Sequence, residues 1–418
     1  MDGTQGEGHA ERAASADGAP GTDGALAGLR VVDLSRVLAG PWCGMLLADL
    51  GADVIKVEAP GRGDDTRGWG PPFLGGESVY FLGCNRGKRG MAIDLASDAG
   101  RALLGRLLAD ADVLIENFKA GTLARWGFDD AWREAHAPRL VHCAVTGYGE
   151  SGPKAALPGY DFILQAESGL MSLCGPVDGS GSKYGVAIVD LATGMMAANA
   201  IQAALLARVR TGRGQRVGAS LHETGIALLA NVGNAHLATG APARRYGNGH
   251  PTIVPYTTYD AADGAVAVAV GNDAQFARLA ELLGHREWAE DARFRTNAAR
   301  VAHRDEIDDR VGTAIAARSG ESLLEAMRAA GIPCGAVRSV GDALADPQTA
   351  ARGCTVALDH PLAGRFESLA SPLDLGATPP RAGRPPPTLG QHTREILAGE
   401  LGLDTAAIDA LYADGVVA

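Results

Sequence analysis

Apolar residues fall in short continuous runs, separated by stretches in which they recur at helical spacing, and this predicts buried parallel strands alternating with helices. Residues 29–34 read as a strand. After Ala39 and Gly40, Pro41 suits the first position of a helix over 42–50 that stops at Gly51. Residues 54–58 read as a second strand, which completes a βαβ unit and so requires a parallel sheet. Strands over 91–95, 113–116 and 140–145 continue the series. Ser97 is placed to cap a helix whose Leu103, Leu104, Leu107 and Leu108 share one face. Residues 159–174 read as a helix with Tyr160 and Asp161 at its start. The apolar run 186–189 reads as a strand that stops at a single carboxylate, Asp190, and passes into a small-residue helix ending near Arg208.

Beyond a tight turn at 211–215, residues 216–221 read as a strand and 223–239 as a helix. Residues 245–251 carry Gly247 and Gly249 in a loop that fits no regular element. Runs at 256–259 and 265–270 flank Asp263-Gly264, a hairpin signal. Helices rich in Ala, Leu and Arg follow to about Ala330, and Pro-rich residues 372–392 read as an extended strap before a closing helix near 392–400. The expected class is α/β. Residues 28–225 form a large domain with a parallel sheet, 226–335 a smaller α+β domain, and 336–418 return to the large one. Residues 1–27, rich in Gly, Ala, Ser and Asp, read as a disordered tail without the pattern of a signal peptide.

A net charge of −11 without a basic cluster argues against nucleic acid or an anionic membrane as partner, so an anionic ligand must be held by local geometry. No apolar segment is expected to span a bilayer. Six scattered cysteines without ligand spacing read as reduced thiols of a cytoplasmic protein, and no metal site is expected. G-x-G-x-x-G at 147–152 follows a strand, but Pro153 and Pro158 follow it instead of a clean helix, so no nicotinamide site is read there. His222-Glu223 begins a zinc-protease motif that Ile226 breaks.

Asp190 at a strand-to-helix junction would meet free backbone N–H groups and the positive end of the helix dipole, which keep a carboxylate ionised. Taken alone, both Asp190 and Asp161 read equally as helix caps.

Several pieces in order resemble the class III CoA-transferase family, which includes formyl-CoA transferase and α-methylacyl-CoA racemase. They are V-V-D-L-S-R-V-L-A-G-P (31–41), G-A-D-V-I-K-V-E (51–58), N-R-G-K-R (85–89), E-N-F (116–118), T-G-Y-G-E-S-G-P (146–153), G-Y-D (159–161), V-D-L-A-T-G-M (189–195) and T-G-x-G-Q (211–215). The resemblance implies a Rossmann-like large domain, a smaller domain and an interlocked homodimer, with acyl-CoA as substrate. It implies that Asp190 attacks the thioester, forming an anhydride and then an aspartyl-CoA thioester. Asp161 and Tyr160 stand beside it, and Gly247 and Gly249 belong to a mobile loop at the active site. Val37, Leu38 and Ala39 with Ile93, Asn117, Phe118 and Arg125 would line the CoA site. Leu38 and Ala59 replace the Gln and Arg of formyl-CoA transferase, which argues against formate and oxalate as substrates.

Two other readings stay open. The racemase branch pairs a His with the aspartate as two bases, whereas this chain has Tyr160 there, and a phenol holds its proton too tightly at neutral pH to shuttle it. A CoA-binding protein without activity is the other. The sequence G-N-G-H-P followed by Pro255-Tyr256 resembles members that handle succinyl-CoA and other dicarboxylic acyl groups, with His250, Pro251 and Tyr256 near the acyl or acceptor group.

Overall fold

In the computed structural model, which describes residues 24–418, the chain divides into two compact units. The first holds the described part of Met1–Leu170 together with Lys183–Ala238 and Gln348–Ala418. The second holds Met171–Ser182 and Thr239–Pro347. Most of the expected tail lies outside the described residues. Its last part is ordered, for the Leu26 N–H donates to the Leu50 carbonyl at 2.9 Å.

The first unit is built on six parallel strands: β1 (Arg30–Asp33), β2 (Asp53–Glu58), β3 (Lys88–Ala92), β4 (Val113–Glu116), β5 (Val141–Thr146) and β6 (Arg216–Ser220). Their spatial order is β3-β2-β1-β4-β5-β6, which reverses between β1 and β4. In open α/β sheets ligands bind outside the carboxyl ends of the strands at such a reversal. Alternation sets the two faces. Val32, Ile55 and Leu114 point to one layer, where helix α2 (Asp98–Ala109) packs through the four predicted leucines. Val31, Val54 and Val113 point to the other, covered by helix α1 (Ala39–Asp49) and by the long helix Ile188–Thr211. Ser97 caps α2 as expected, accepting from the Gly100 N–H at 3.0 Å.

Several expected elements need correction. The strand expected at 91–95 lies at Lys88–Ala92, because its charged start is buried: Lys88 is fully enclosed and Arg89 nearly so. The Lys88 ammonium satisfies all its protons inside, donating to Asp33 Oδ2 (2.9 Å), Asn85 Oδ1 (2.9 Å) and the Pro41 carbonyl (2.8 Å). Pro41 is the third residue of α1 rather than its first, and the helix begins at Ala39. The helix expected over 159–174 breaks at Gly169, whose φ of +91° ends the segment Asp161–Glu167. That over 223–239 breaks near Ala230, which holds φ of +46° between Leu221–Ala227 and Ala230–Thr239.

The helix Ile188–Thr211 is by length and composition long and apolar enough to cross a membrane, contrary to the expectation that no segment is. Its apolar composition has a local cause. Val189, Ala197, Ala198, Ile201, Ala204 and Leu205 are buried against α1 and the sheet. A hairpin, Thr355–His360 with Gly364–Leu369, and a last helix, Thr405–Ala413, were not foreseen. The Pro-rich strap carries no regular element, and its Arg384 carbonyl accepts from the Gly87 N–H beside β3.

The second unit has a three-stranded antiparallel sheet, β7 (Tyr256–Ala261), β8 (Gly264–Ala269) and β9 (Cys334–Ala336), with the hairpin turn at Asp263-Gly264 as expected. Helices Asp273–Leu283 and Arg304–Ala316 bury Phe276, Leu279, Ile307 and Val311 with Val266 and Val268 of the sheet. Arg300, also fully buried, donates to the Val254 and Phe294 carbonyls and to Asp273.

Removing one partner of a buried ion pair strands the other charge, at a cost of about 3–5 kcal/mol. Lys88→Met is therefore expected to lower the chemical-denaturation stability by about that amount, whereas Lys119→Met, on an exposed side chain, should change it by less than about 0.5 kcal/mol. Equal effects of the two substitutions would contradict the structural role of Lys88.

Candidate active site

At the carboxyl end of β1 the chain turns through Ser35–Ala39 into α1, and Val37 there adopts φ of +73°, an outlier for a β-branched residue. Buried polar groups impose it. The Val37 N–H donates to both oxygens of Asp64 (3.2 and 3.3 Å), which also accepts from Lys56 (2.9 Å) and from the Thr66 N–H (3.0 Å). Lys56, fully buried, donates in addition to the Ser35 carbonyl at 2.9 Å. Burial pushes the Asp64 carboxyl up, but Lys56 and these donors outweigh it and hold it below the usual range. From the side of β4, Asn117 completes the clamp: its Oδ1 accepts from the Arg36 N–H (3.0 Å) and its Nδ2 donates to the Arg36 carbonyl (2.7 Å).

The loop leads into an open helix end. Leu38, the N-cap of α1, makes no side-chain cap, and the Ala39 and Gly40 N–H groups meet no acceptor among the described residues. These are the free donors and positive dipole end that suit an anionic ligand. The helix Ile188–Thr211 crosses this point at Gly194, where an added Cβ would lie 2.6 Å from the Ala39 carbonyl oxygen. Asp190 stands one turn before Gly194, on the same face, and so shares this region with the loop.

The run 186–189 is not a strand, which corrects the junction expected there. Side chains of helix Asp161–Glu167 hold it instead of a ladder. Gln165 accepts from the Tyr184 N–H (2.7 Å). Asp161 Oδ1 accepts from the Val189 and Asp190 N–H groups at 2.8 and 3.2 Å, and its Oδ2 accepts from Gln165 at 2.6 Å. Asp161 thus caps the helix that carries Asp190, since the N-cap residue Ala187 has no side-chain oxygen to do so.

This changes the state of Asp190. The donors expected to keep it ionised are taken by Asp161, and no hydrogen bond reaches the Asp190 carboxylate among the described residues. Burial, with 8% of the residue exposed, and the neighbouring charge of Asp161 push its pKa up to about 7. Tyr80, which the sequence reading did not single out, lies within the same field: burial raises its phenol, and Asp190 and Asp161 add to the shift. Its only sequence signal is the Ser78 cap two residues before it.

The remaining expected positions divide. Phe118 stacks edge-on against Trp126 with ring centroids 5.2 Å apart, and Arg125 is exposed at the end of the short helix Thr122–Arg125. A cavity of about 340 Å³ is lined among others by Glu116, Lys119, Thr122 and His142, and by neither Phe118 nor Arg125. Ile93 is 1% exposed, packed in the core and paired with Val417, so it offers no free surface. Tyr160 is exposed, and its carbonyl accepts from the Leu164 N–H at 3.0 Å as the chain enters helix Asp161–Glu167. In the second unit Gly247 has φ of +58°, and Asn248 donates to Thr258 at 2.9 Å. Asn248 and Tyr256 line a groove of about 230 Å³ over β7 and β8. No group of metal-ligating side chains occurs among the described residues.

The first unit thus combines a doubly wound sheet, a buried carboxylate without a hydrogen-bond donor and an open helix end. The chain belongs to CoA-transferase family III, whose profile matches residues 26–393. It is 45% identical over 379 residues to the succinate–glutarate CoA-transferase of Agrobacterium fabrum, covering 89% of this chain and 95% of that protein. It is 40% identical to the succinyl-CoA:glutarate CoA-transferase of Mus musculus, covering 94% and 90%. A CaiB/BaiF family protein from Brucella suis superposes with a TM-score of 0.81 at 43% identity, covering 90% of this chain and all of that one. The protein is accordingly an enzyme that moves CoA between an acyl-CoA and a carboxylic acid.

A carboxyl whose pKa is raised in the folded state binds more protons there than when unfolded, so its contribution falls as pH rises from about 4 to about 7. Asp190→Asn, which cannot ionise, should be more stable than the parent by a margin that widens across this window and is flat above it. Denaturant midpoints at a series of pH values measure it, and a margin independent of pH would contradict the raised pKa. In the parent protein Asp161→Asn should lower the Asp190 titration seen by carboxyl NMR.

Proposed function

We propose that Asp190 is the nucleophile of the transfer. The observation that carries this reading is its buried carboxylate, left without a donor while Asp161 takes the helix-end N–H groups. A desolvated carboxylate without hydrogen bonds has its lone pairs free for attack, and a pKa near 7 leaves a large ionised fraction at neutral pH.

Asp190 attacks the thioester carbonyl, the carbon–sulfur bond breaks, and CoA leaves as the thiolate with a mixed anhydride on the aspartate. The thiolate then attacks the aspartyl carbonyl, forming an aspartyl-CoA thioester and releasing the donor acid. The acceptor carboxylate runs the two steps in reverse and leaves as the new acyl-CoA. Each step conserves the activation of the acyl group, which hydrolysis would waste, and burial of Asp190 keeps water away. The free N–H groups of Ala39 and Gly40 suit the charge of the CoA phosphates or of the developing oxyanion. Phe118 and Arg125 take the nucleotide end, while the Asn117 side chain braces the loop.

Val37, Leu38 and Ala39 border CoA through their backbone. The names of the two relatives favour a dicarboxylic donor such as succinyl-CoA and a dicarboxylic acceptor such as glutarate. We further propose a cytoplasmic, interlocked homodimer with a Rossmann-like large domain and a smaller one. The exposed apolar side chains Phe162, Leu206, Val209 and Leu237 give a second copy something to cover. Asp161 positions the nucleophile's helix, and Tyr160 lines the approach.

Asp190→Ala is expected to abolish CoA transfer from succinyl-CoA to glutarate, by at least about 1000-fold in kcat, with the fold intact by circular dichroism. Incubation of the parent with succinyl-CoA alone, then mass spectrometry of a tryptic digest, should place a CoA adduct on the Asp190 peptide. Transfer retained by the variant would overturn the assignment. Deuterium incorporated at the α-carbon of a 2-methylacyl-CoA in D2O, without new esters, would instead favour racemisation.

A further inference from the structure

Two buried polar side chains lie on the face of the large sheet that looks away from the helix carrying Asp190. Leu114 of β4 and His142 of β5 are register partners, and alternation puts Glu116 on the same face as both. That face packs with α2 through Leu114, whereas Val113, Ile115, Val141 and Cys143 turn to the helix Ile188–Thr211. Both side chains line the cavity of about 340 Å³, and they are only 8% (His142) and 9% (Glu116) exposed. Glu116 Oε2 accepts from the Phe118 N–H at 2.7 Å, but its Oε1 accepts no hydrogen bond among the described residues. His142 Nε2 lies 3.5 Å from that oxygen and makes no hydrogen bond either. A buried polar atom left alone is costly, and a ligand reaching both groups would supply the missing partner.

The rest of the lining tells what that ligand carries. Carboxylates outnumber cations, for Asp129, Asp130 and Glu150 join Glu116 against Lys119 and Arg216. Arg216 is paired with Glu150, Asp130 stands 3.5 Å from Arg133, and Asp129 caps helix Asp130–His136 through the Trp132 N–H at 2.8 Å. Lys119 is exposed, and its ammonium has no hydrogen bond or ion pair among the described residues. The buried end of the cavity thus presents acceptors and the exposed end one unspent cation. A primary ammonium has donors for both Glu116 Oε1 and the lone pair of an uncharged imidazole, whereas an anion there would meet like charge. No group of three metal-ligating side chains occurs among the described residues, which favours an organic cation.

We infer that this cavity binds a small zwitterion of the amino-acid type, its ammonium held between Glu116 and His142 and its carboxylate met by Lys119. The volume, near the lower end for small-molecule pockets, suits a ligand of that size. The sheet lies between this site and the helix of Asp190, so the inference does not rest on the nucleophile assignment. Glu116 runs directly into Asn117, whose side chain clamps Arg36, and the ligand therefore binds one residue from the brace of the first βα turn.

The test uses the full-length protein with isotope-labelled histidine, at about pH 8, where an ordinary imidazole is uncharged. The Cε1–H signal of His142 is the one that His142→Phe removes. Titration with 4-aminobutyrate should shift this signal to saturation. The probe n-propylammonium, which lacks the carboxylate, should bind about 2- to 5-fold more weakly, and butyrate, which lacks the ammonium, should leave the signal in place. Glu116→Gln keeps an oxygen for the Phe118 N–H but loses the charge, and should weaken 4-aminobutyrate by about 10- to 100-fold. Lys119→Met should abolish the preference for 4-aminobutyrate over n-propylammonium. No shift with 4-aminobutyrate up to about 100 mM, where a complex of millimolar affinity is saturated, would overturn the inference. Equal responses to all three probes, or an affinity that Glu116→Gln leaves unchanged, would overturn it as well.

Discussion

A lattice of buried charges beneath the first βα turn fixes the part of the molecule on which the site depends. Lys88 on β3 reaches Asp33 on β1 and the Pro41 carbonyl in α1, while Lys56 on β2 reaches Asp64 and the Ser35 carbonyl. Burial of Asp33 works against its charge, and Lys88 and Lys56 more than offset that. Such pairs contribute little net stability against apolar packing, yet they tolerate few alternative geometries. The consequence here is local and exact in placement. Loop, strand ends and helix start are tied at several points, enough to hold Val37 in a backbone conformation that costs on the order of 1–2 kcal/mol.

The second constraint is the division of labour between two aspartates. One helix end offers a few free N–H groups, and two carboxylates stand near it. Asp161 takes them and Asp190 is denied them. Burial and like charge then act on Asp190 together, which is the arrangement that separates the properties of two otherwise identical carboxyl groups. Gln165 makes the pair rigid by joining Asp161 to the segment before the helix through Tyr184.

Much of this was legible in the chain. The βαβ start, the buried leucines of α2, the hairpin at Asp263-Gly264 and the irregular loop at Gly247–Gly249 follow from local periodicity and turn chemistry, and the structure has them. What failed has identifiable causes. Residues 186–189 look like a strand because an apolar run has the same composition whether a ladder or side chains hold it, and here Gln165 and Asp161 do. The start of β3 was missed because lysine and arginine read as solvated, and only their distant partners make burial tolerable. Tyr80 escaped because nothing local marks a tyrosine as the neighbour of a carboxylate more than a hundred positions away.

The sequence by itself determined the class of sheet, the order of its elements and, through an ordered set of motifs, the family. Those are properties of local pattern and of residues kept at fixed spacing. Only the tertiary structure decided which aspartate receives the helix-end donors, and that Asn117 braces a loop while Ile93 is enclosed. Hydrogen-bond donors and desolvation are shared among groups that meet in space, and their allotment is set by distances that no spacing along the chain encodes.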